Sequence, residues 1–180
     1  MNKGVSKALW TIGMLLWMGF IFYMSSRSAE ISGNMSDTVT DVFQRLFFRS
    51  WKNLSPAKQA LNRSMLEYLI RKAAHYSEFA LLGCFMGGLL SQFPIRYLLR
   101  LFIGFAAGAA YAWSDEFHQA FVAGRARQFF DVCIDCAGVL TGLLIVTGII
   151  SSFRLDARER KERKERREAR RRLKAQERGR

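Results

Sequence analysis

The sequence contains two prolines and three cysteines in 180 residues. Three thiols cannot staple a secreted mini-protein. So little proline leaves long stretches free to run as helices. Acids are also scarce, with 15 Asp/Glu against 28 Lys/Arg. The length excludes a two-domain soluble enzyme, and an aromatic content of 13% excludes a disordered chain. What is abundant is apolar, since half of the residues are hydrophobic. A mean hydropathy of −0.01 hides this. Residues 151–180 hold 14 Lys/Arg and 6 Asp/Glu, a net charge of +8, which leaves residues 1–150 with 14 basic and 9 acidic side chains. Those first 150 residues, rich in Leu, Ile, Phe and Gly, place the chain in the membrane class.

A membrane-crossing helix needs roughly 20 mostly apolar residues. Four stretches qualify: 8–24, 73–90, 98–113 and 132–150. The first is uncharged, the second is interrupted only by His75 and Glu78, and Arg100 and Asp135 stand near the starts of the other two. The first stretch also has a signal-peptide reading, with Lys3 and Lys7 before it and Ser26-Arg27-Ser28 after it. Its 17 apolar residues exceed the ~7–15 of a signal h-region, which favours a retained anchor. The basic flanks set the orientation. Lys3, Lys7, Arg96, Arg100 and the Arg-rich tail belong on the cytoplasmic side, so both termini are cytoplasmic. Segment 25–72 and the loop 114–131 then face outward, although the first carries eight basic residues. The expected fold is an all-α membrane protein, a bundle of four transmembrane helices over residues 1–150 with a basic cytoplasmic tail at 151–180.

The outer segment has its own pattern. Met35, Val39, Val42, Phe43 and Leu46 recur at helical spacing with Asp37, Asp41, Gln44 and Arg45 between them, which predicts an amphipathic helix at the outer interface. Ser55-Pro56 reads as an N-cap followed by proline at the first helical position. Leu61, Met65 and Leu69 stripe a helix expected to run straight into the second span. Three small-xxx-small pairs, Gly83/Gly87, Gly104/Gly108 and Gly138/Gly142, predict close helix packing.

Ionisable groups within a span are costly and point to function or to pairing. Arg71, His75 and Glu78 lie on one helical stripe; Tyr111, Asp115 and His118 lie on another, with Glu116 and Gln119 beside it. Asp131, Asp135, Gly138 and Gly142 make a third. All three stripes fall at the same depth in the proposed topology, where Arg125 and Arg127 of the loop join them. Five acids facing four bases and two histidines form a set that is able to neutralise itself as an ion-pair network, and that structural reading stands beside any functional one.

The stretch Arg71-Lys72-Ala73-Ala74-His75-Tyr76-Ser77-Glu78-Phe79 resembles the VanZ-like family signature Arg-Lys-x-x-His-x-x-Glu-Tyr. Residues 115–125, Asp-Glu-Phe-His-Gln-Ala-Phe-Val-Ala-Gly-Arg, are similar to that family's Asp-Glu-x-x-Gln-x-Phe-x-Pro-Gly-Arg. Asp131, Asp135 and Gly138 follow at the family's spacing, and Ser25-Ser26 resembles the serine pair after its first span. Phe79 stands in place of Tyr, Ala123 in place of Pro, and Asp135 where Asn is usual. The resemblance covers about residues 10–150 and implies a multi-pass bacterial membrane protein of the cell envelope. The founding member is associated with teicoplanin resistance, and the family has no settled biochemical activity.

Three chemistries fit the cluster. In the first, Arg71, Lys72, Arg125 and Arg127 bind or shield a lipid-linked peptidoglycan precursor or a glycopeptide antibiotic, while Glu78, Asp115, Asp131 and Asp135 orient them and His75, and Glu116 and Gln119 complete the cluster. In the second, a hydrolase or transferase acts on a lipid-linked substrate, with His75 or His118 as base and Glu78 or Asp115 as orienter. No nucleophile elbow or lipid-phosphatase block is present, so the balance is against an enzyme. In the third, His75/Glu78 and Asp115/His118 hold a metal, but two histidines among many carboxylates are a weak motif, and no metal or other cofactor is expected. Cys133 and Cys136 form a C-x-x-C inside a span, where cysteine is usually apolar filling. The tail reads as a solvated helix laced with Glu159/Arg163, Glu162/Arg166 and Glu168/Arg172, drawn to anionic lipid. Without interleaved aromatics it is a poor nucleic-acid binder.

Overall fold

The computed structural model describes residues 3–47, 54–125 and 128–178; Lys3, Ala29, Phe47, Arg167 and residues 169–178 are described by backbone alone. Among the described residues five helices follow one another: α1 (Lys3–Ser25), α2 (Ala29–Phe47), α3 (Pro56–Leu90), α4 (Tyr97–Gln119) and α5 (Phe129–Arg178). The described residues contain no strand, as the all-α reading requires. Among the described residues two helical stretches, Gly4–Ser25 and Phe129–Arg166, are long and apolar enough to cross a membrane. The other two expected spans lie within α3 and α4, where His75, Ser77 and Glu78, or Arg100 and Ser114, dilute the apolar run. Apolar length alone therefore supports two crossings.

The start of α3 is set locally. Ser55 is extended (φ −63°, ψ 152°), Pro56 occupies the first turn, and the Gln59 amide donates to the Ser55 carbonyl at 2.9 Å. Ser55 thus takes the N-cap position with proline after it, as expected, although its hydroxyl makes no capping bond. From there α3 runs unbroken for 35 residues, so the outer helix and the second expected span are one element. Likewise α5 continues into the tail without a break. Arg163–Glu159 pairs there at 3.6 Å, and Lys161–Glu165 at 3.8 Å; Glu162 and Arg166 form no ion pair, and the Arg172 side chain lies outside the described residues.

Helices α3 and α5 run parallel along the tightest seam of the bundle. A methyl at Gly142 would strike the Ala80 carbonyl, one at Gly138 the Tyr76 carbonyl, and one at Gly83 the Val139 carbonyl. Helix α4 crosses antiparallel, and its glycines receive α5 side chains: Val139 fills the hollow at Gly108 and Leu143 the one at Gly104. Two of the glycine pairs thus face α5, and the third, on α5 itself, faces α3. The sealed core is small, built from Ile21, Phe79, Leu82, Met86, Ala112, Val132, Val139 and Leu143.

The outside is the reverse of a water-soluble surface. Leu9, Leu16 and Phe22 on α1, Leu98 and Phe102 on α4, and Leu144, Ile145 and Ile149 on α5 are all exposed. An apolar surface this extensive is unfavourable in water and suited to lipid. Helix α2 packs chiefly on α3 through buried Ser36 and Thr40, and leaves Met35, Val39, Val42, Phe43 and Leu46 exposed. Arg63 of α3 fixes it there, meeting Asp41 at 2.7 Å, Asp37 at 3.6 Å and its own-helix neighbour Glu67 at 2.8 Å. The Asp41 hydrogen bond, ahead of the other two carboxylates, holds the Arg63 guanidinium above its ordinary range.

Candidate functional site

One end of the bundle gathers the end of α1, residues 71–78 of α3, the end of α4 and the start of α5. The turn after α4 completes it. Gly124 has φ 75°, a left-handed conformation that side chains resist, and it reverses the chain so that Arg125 points back into the bundle. There the Arg125 Nε donates to the Arg27 carbonyl at 3.0 Å and its Nη1 to Gln119 Oε1 at 2.9 Å. Burial, and next the neighbouring Arg71 guanidinium, push Arg125 below its ordinary pKa range. A guanidinium nonetheless stays charged at neutral pH.

Behind Arg125 lies a network joining α1 to α4. Asp115, only 3% exposed, accepts from Ser25 Oγ at 2.8 Å and from Gln119 Nε2 at 2.7 Å through the same oxygen, Oδ2. Its other oxygen is buried without a partner. Gln119 therefore receives Arg125 on one side and gives to Asp115 on the other. Tyr111 hangs α4 on α1 a turn away, donating to the Met18 carbonyl at 2.7 Å.

The remaining acids behave differently from one another. Lys72 of α3 forms an ion pair with Asp131 of α5, and its ammonium stands 5.0 Å from the Tyr68 ring centre. Glu116 accepts the Gln128 backbone amide ahead of α5. Asp135 is 1% exposed with Oδ1 unpartnered, and Phe79, where the resembled signature has Tyr, is fully buried. Of the self-neutralising ion-pair network that stood as the structural alternative, only a part forms among the described residues. Among the described residues Lys72–Asp131 is the cluster's single ion pair, and hydrogen bonds from neutral groups satisfy much of the rest. Arg127 lies outside the described residues.

The histidines part company. His118 sits against the Phe22 ring with centres 4.5 Å apart and meets Ser26 Oγ at 3.1 Å. It makes no hydrogen bond to Asp115. His75 faces inward, its Nδ1 buried and unpartnered, with Glu78 one turn further along α3. Neither expected base–orienter hydrogen bond forms among the described residues.

Two adjoining clefts open at this end. One, of about 160 Å³, runs between α2 and α3; Met24, Met35, Val39 and Ile70 give it an apolar floor, and His75 and Glu78 a polar margin. The other, of about 200 Å³, is polar and lined by Tyr68, Lys72, Gln119, Gln128 and Asp131. Ser32, Arg71, His75 and Arg125 line both and so form the wall between them. Arg71 is the exposed member of that wall and pairs with no carboxylate among the described residues. Of the sequence-selected residues, Arg71, Lys72, His75, Glu78, Gln119, Arg125 and Asp131 therefore meet in the clefts. Asp115, Glu116 and Asp135 lie behind them, and His118 stands apart. The contributions of α2 and of the Arg27 carbonyl went unseen in the sequence, because backbone acceptors and an isolated helix's placement leave no local signal; the Ser25-Ser26 pair was the one clue to α1.

A family model described as VanZ/LLP1 matches residues 10–151. The chain belongs to the VanZ/LLP1 family. No curated protein and no solved structure matches it. Every residue of the VanZ/LLP1 site lies inside the matched stretch, and all of the basic tail except Ser151 lies beyond it.

Proposed function

We propose that this VanZ/LLP1 protein is a four-span membrane protein of the bacterial cell envelope, with both termini cytoplasmic and the paired clefts facing outward. The clefts bind an amphiphilic envelope ligand, a lipid-linked peptidoglycan precursor or a lipoglycopeptide such as teicoplanin. Arg71 carries this reading. It is an exposed guanidinium that forms no ion pair among the described residues, next to the half-buried Arg125, on the wall between a polar and an apolar cleft. Two neighbouring cations repel each other, and a phosphate or carboxylate between them relieves that repulsion through charge-assisted hydrogen bonds. The polar cleft takes the head of such a ligand. The trough between α2 and α3 takes the start of its chain, with Met35, Val39 and Ile70 as apolar contacts.

A scaffold is the second reading, favoured by the Ser25–Asp115–Gln119 network that joins α1 to α4. An enzyme acting on a lipid-linked substrate has less support, because neither histidine engages a carboxylate.

Teicoplanin susceptibility separates ligand binding from scaffolding. In a Gram-positive host, wild type is expected to raise tolerance, and Glu78→Gln or Arg71→Glu to remove it at equal membrane abundance. Full protection by both variants would leave the clefts without a role. No protection by wild type would detach this member from the antibiotic.

A further inference from the structure

The opposite end of the bundle holds a second set of unmatched charges. Arg100, in the first turn of α4, is 5% exposed; its Nη2 donates to the Ile95 carbonyl at 3.2 Å, and its Nε is buried with no partner. Ser91, which ends α3, is 1% exposed, and its hydroxyl is likewise unpartnered. The Ser91 carbonyl accepts from Arg154 Nη2 of α5, which brings a second guanidinium within Coulombic reach of Arg100. Lys7 of α1 rests over the Phe93 ring at 4.4 Å. Among the described residues no carboxylate forms an ion pair with Lys7, Arg96, Arg100 or Arg154, and Asp156 pairs with none of them.

A guanidinium cannot shed its proton, and burying it without a counter-charge is strongly unfavourable. At the site end, Lys72 meets that requirement with Asp131. Here the protein supplies carbonyls and more positive charge, so the missing partner is an anion. We propose that Arg100, Arg154 and the Ser91 hydroxyl form a binding site for a phosphate group, delivered by the headgroup of an anionic phospholipid. Two guanidiniums and a hydroxyl match the acceptor oxygens of a phosphodiester, and basic pockets between helix ends are where such headgroups lodge. Exposed Leu98, Phe102 and Phe153 beside the cluster offer acyl chains an apolar rim. The site is independent of whatever the clefts at the other end bind.

The test uses the full chain purified in a neutral detergent. Native mass spectrometry then follows its titration with phosphatidylglycerol, phosphatidylcholine or inorganic phosphate. Wild type is expected to retain one phosphatidylglycerol saturably and phosphatidylcholine far less. Arg154→Gln and Arg100→Gln are each expected to weaken that binding about tenfold, as loss of a charge-assisted contact does. Arg154 lies near the surface, so its variant carries the result if Arg100→Gln fails to fold. A tail variant with Arg158, Arg160 and Lys161 neutralised removes more charge and is expected to bind as wild type does. Equal weakening by the tail variant, or undiminished binding by Arg154→Gln, overturns the site. Displacement of the lipid by millimolar inorganic phosphate, lost in the same variants, overturns the lipid as the occupant.

Discussion

Gly142→Ala is expected to lower the melting temperature of the detergent-purified protein by about 10 °C, whereas Gly19→Ala does not lower it. The added methyl at position 142 would collide with the Ala80 carbonyl and come within 2.7 Å of the Cys84 amide nitrogen. Both are backbone atoms of a helix, which cannot rotate aside as a side chain does. The seam between α3 and α5 must open, and the neighbouring contacts at Gly83 and Gly138 open with it. Overpacking of ordinary cores costs about 1–3 kcal/mol. A rigid seam belongs at the upper end, and about 3 kcal/mol corresponds to roughly 10 °C in a chain of this size. Gly19 has nothing within 4 Å of where its methyl would stand. Coincident melting of the two variants would mean that α3 and α5 do not meet along these glycines.

Asp115→Ala is expected to destabilise the protein by about 3 kcal/mol and Asp115→Asn by about 1 kcal/mol, because an unmet buried donor costs about 1–3 kcal/mol. One carboxylate oxygen serves two buried donors, Ser25 Oγ and Gln119 Nε2. Alanine leaves Ser25 without that acceptor and the Gln119 Nε2 with only the longer 3.3 Å contact to Ser25. Asparagine retains one acceptor oxygen. The damage also spreads to the clefts, since Gln119 is one of the two groups that hold Arg125, the Arg27 carbonyl being the other. Limited proteolysis at Arg125, next to thermal unfolding, reads both effects: Asp115→Ala is expected to melt earlier and be cut faster. Unchanged melting and cleavage would show that the network does not join α1 to α4.

The helices were legible because the apolar runs are long and proline is scarce. Pro56 marked the start of α3, and the stripe Leu61–Met65–Leu69 led without a break into residues 73–90. The three ionisable stripes were legible as well, since helical spacing alone puts Arg71, His75 and Glu78 on one face. Their partners were not. Asp115 is bonded to Ser25, 90 positions away, rather than to an arginine, and that choice depends on how α1 ends against α4. Charge counting suggested a self-neutralising set, but orientation decides which opposite charges meet, and it brings only Lys72 and Asp131 together. The glycine pairs announced close packing without saying that each would lie at a contact between α5 and a neighbour. The apolar cleft was hidden for a related reason: it exists only because α2, a separate helix, leans on α3.

Binding of lipid-linked peptidoglycan precursor to the full chain in nanodiscs tests the central claim most directly. Wild type is expected to bind saturably. Arg71→Glu is expected to bind about 100-fold more weakly, the equivalent of losing two charge-assisted hydrogen bonds. Arg163→Glu, an equal charge reversal on the exposed tail, is expected to bind as wild type does. Equal affinity of the wild-type and Arg71→Glu proteins would contradict the account and leave the clefts as a by-product of helix packing.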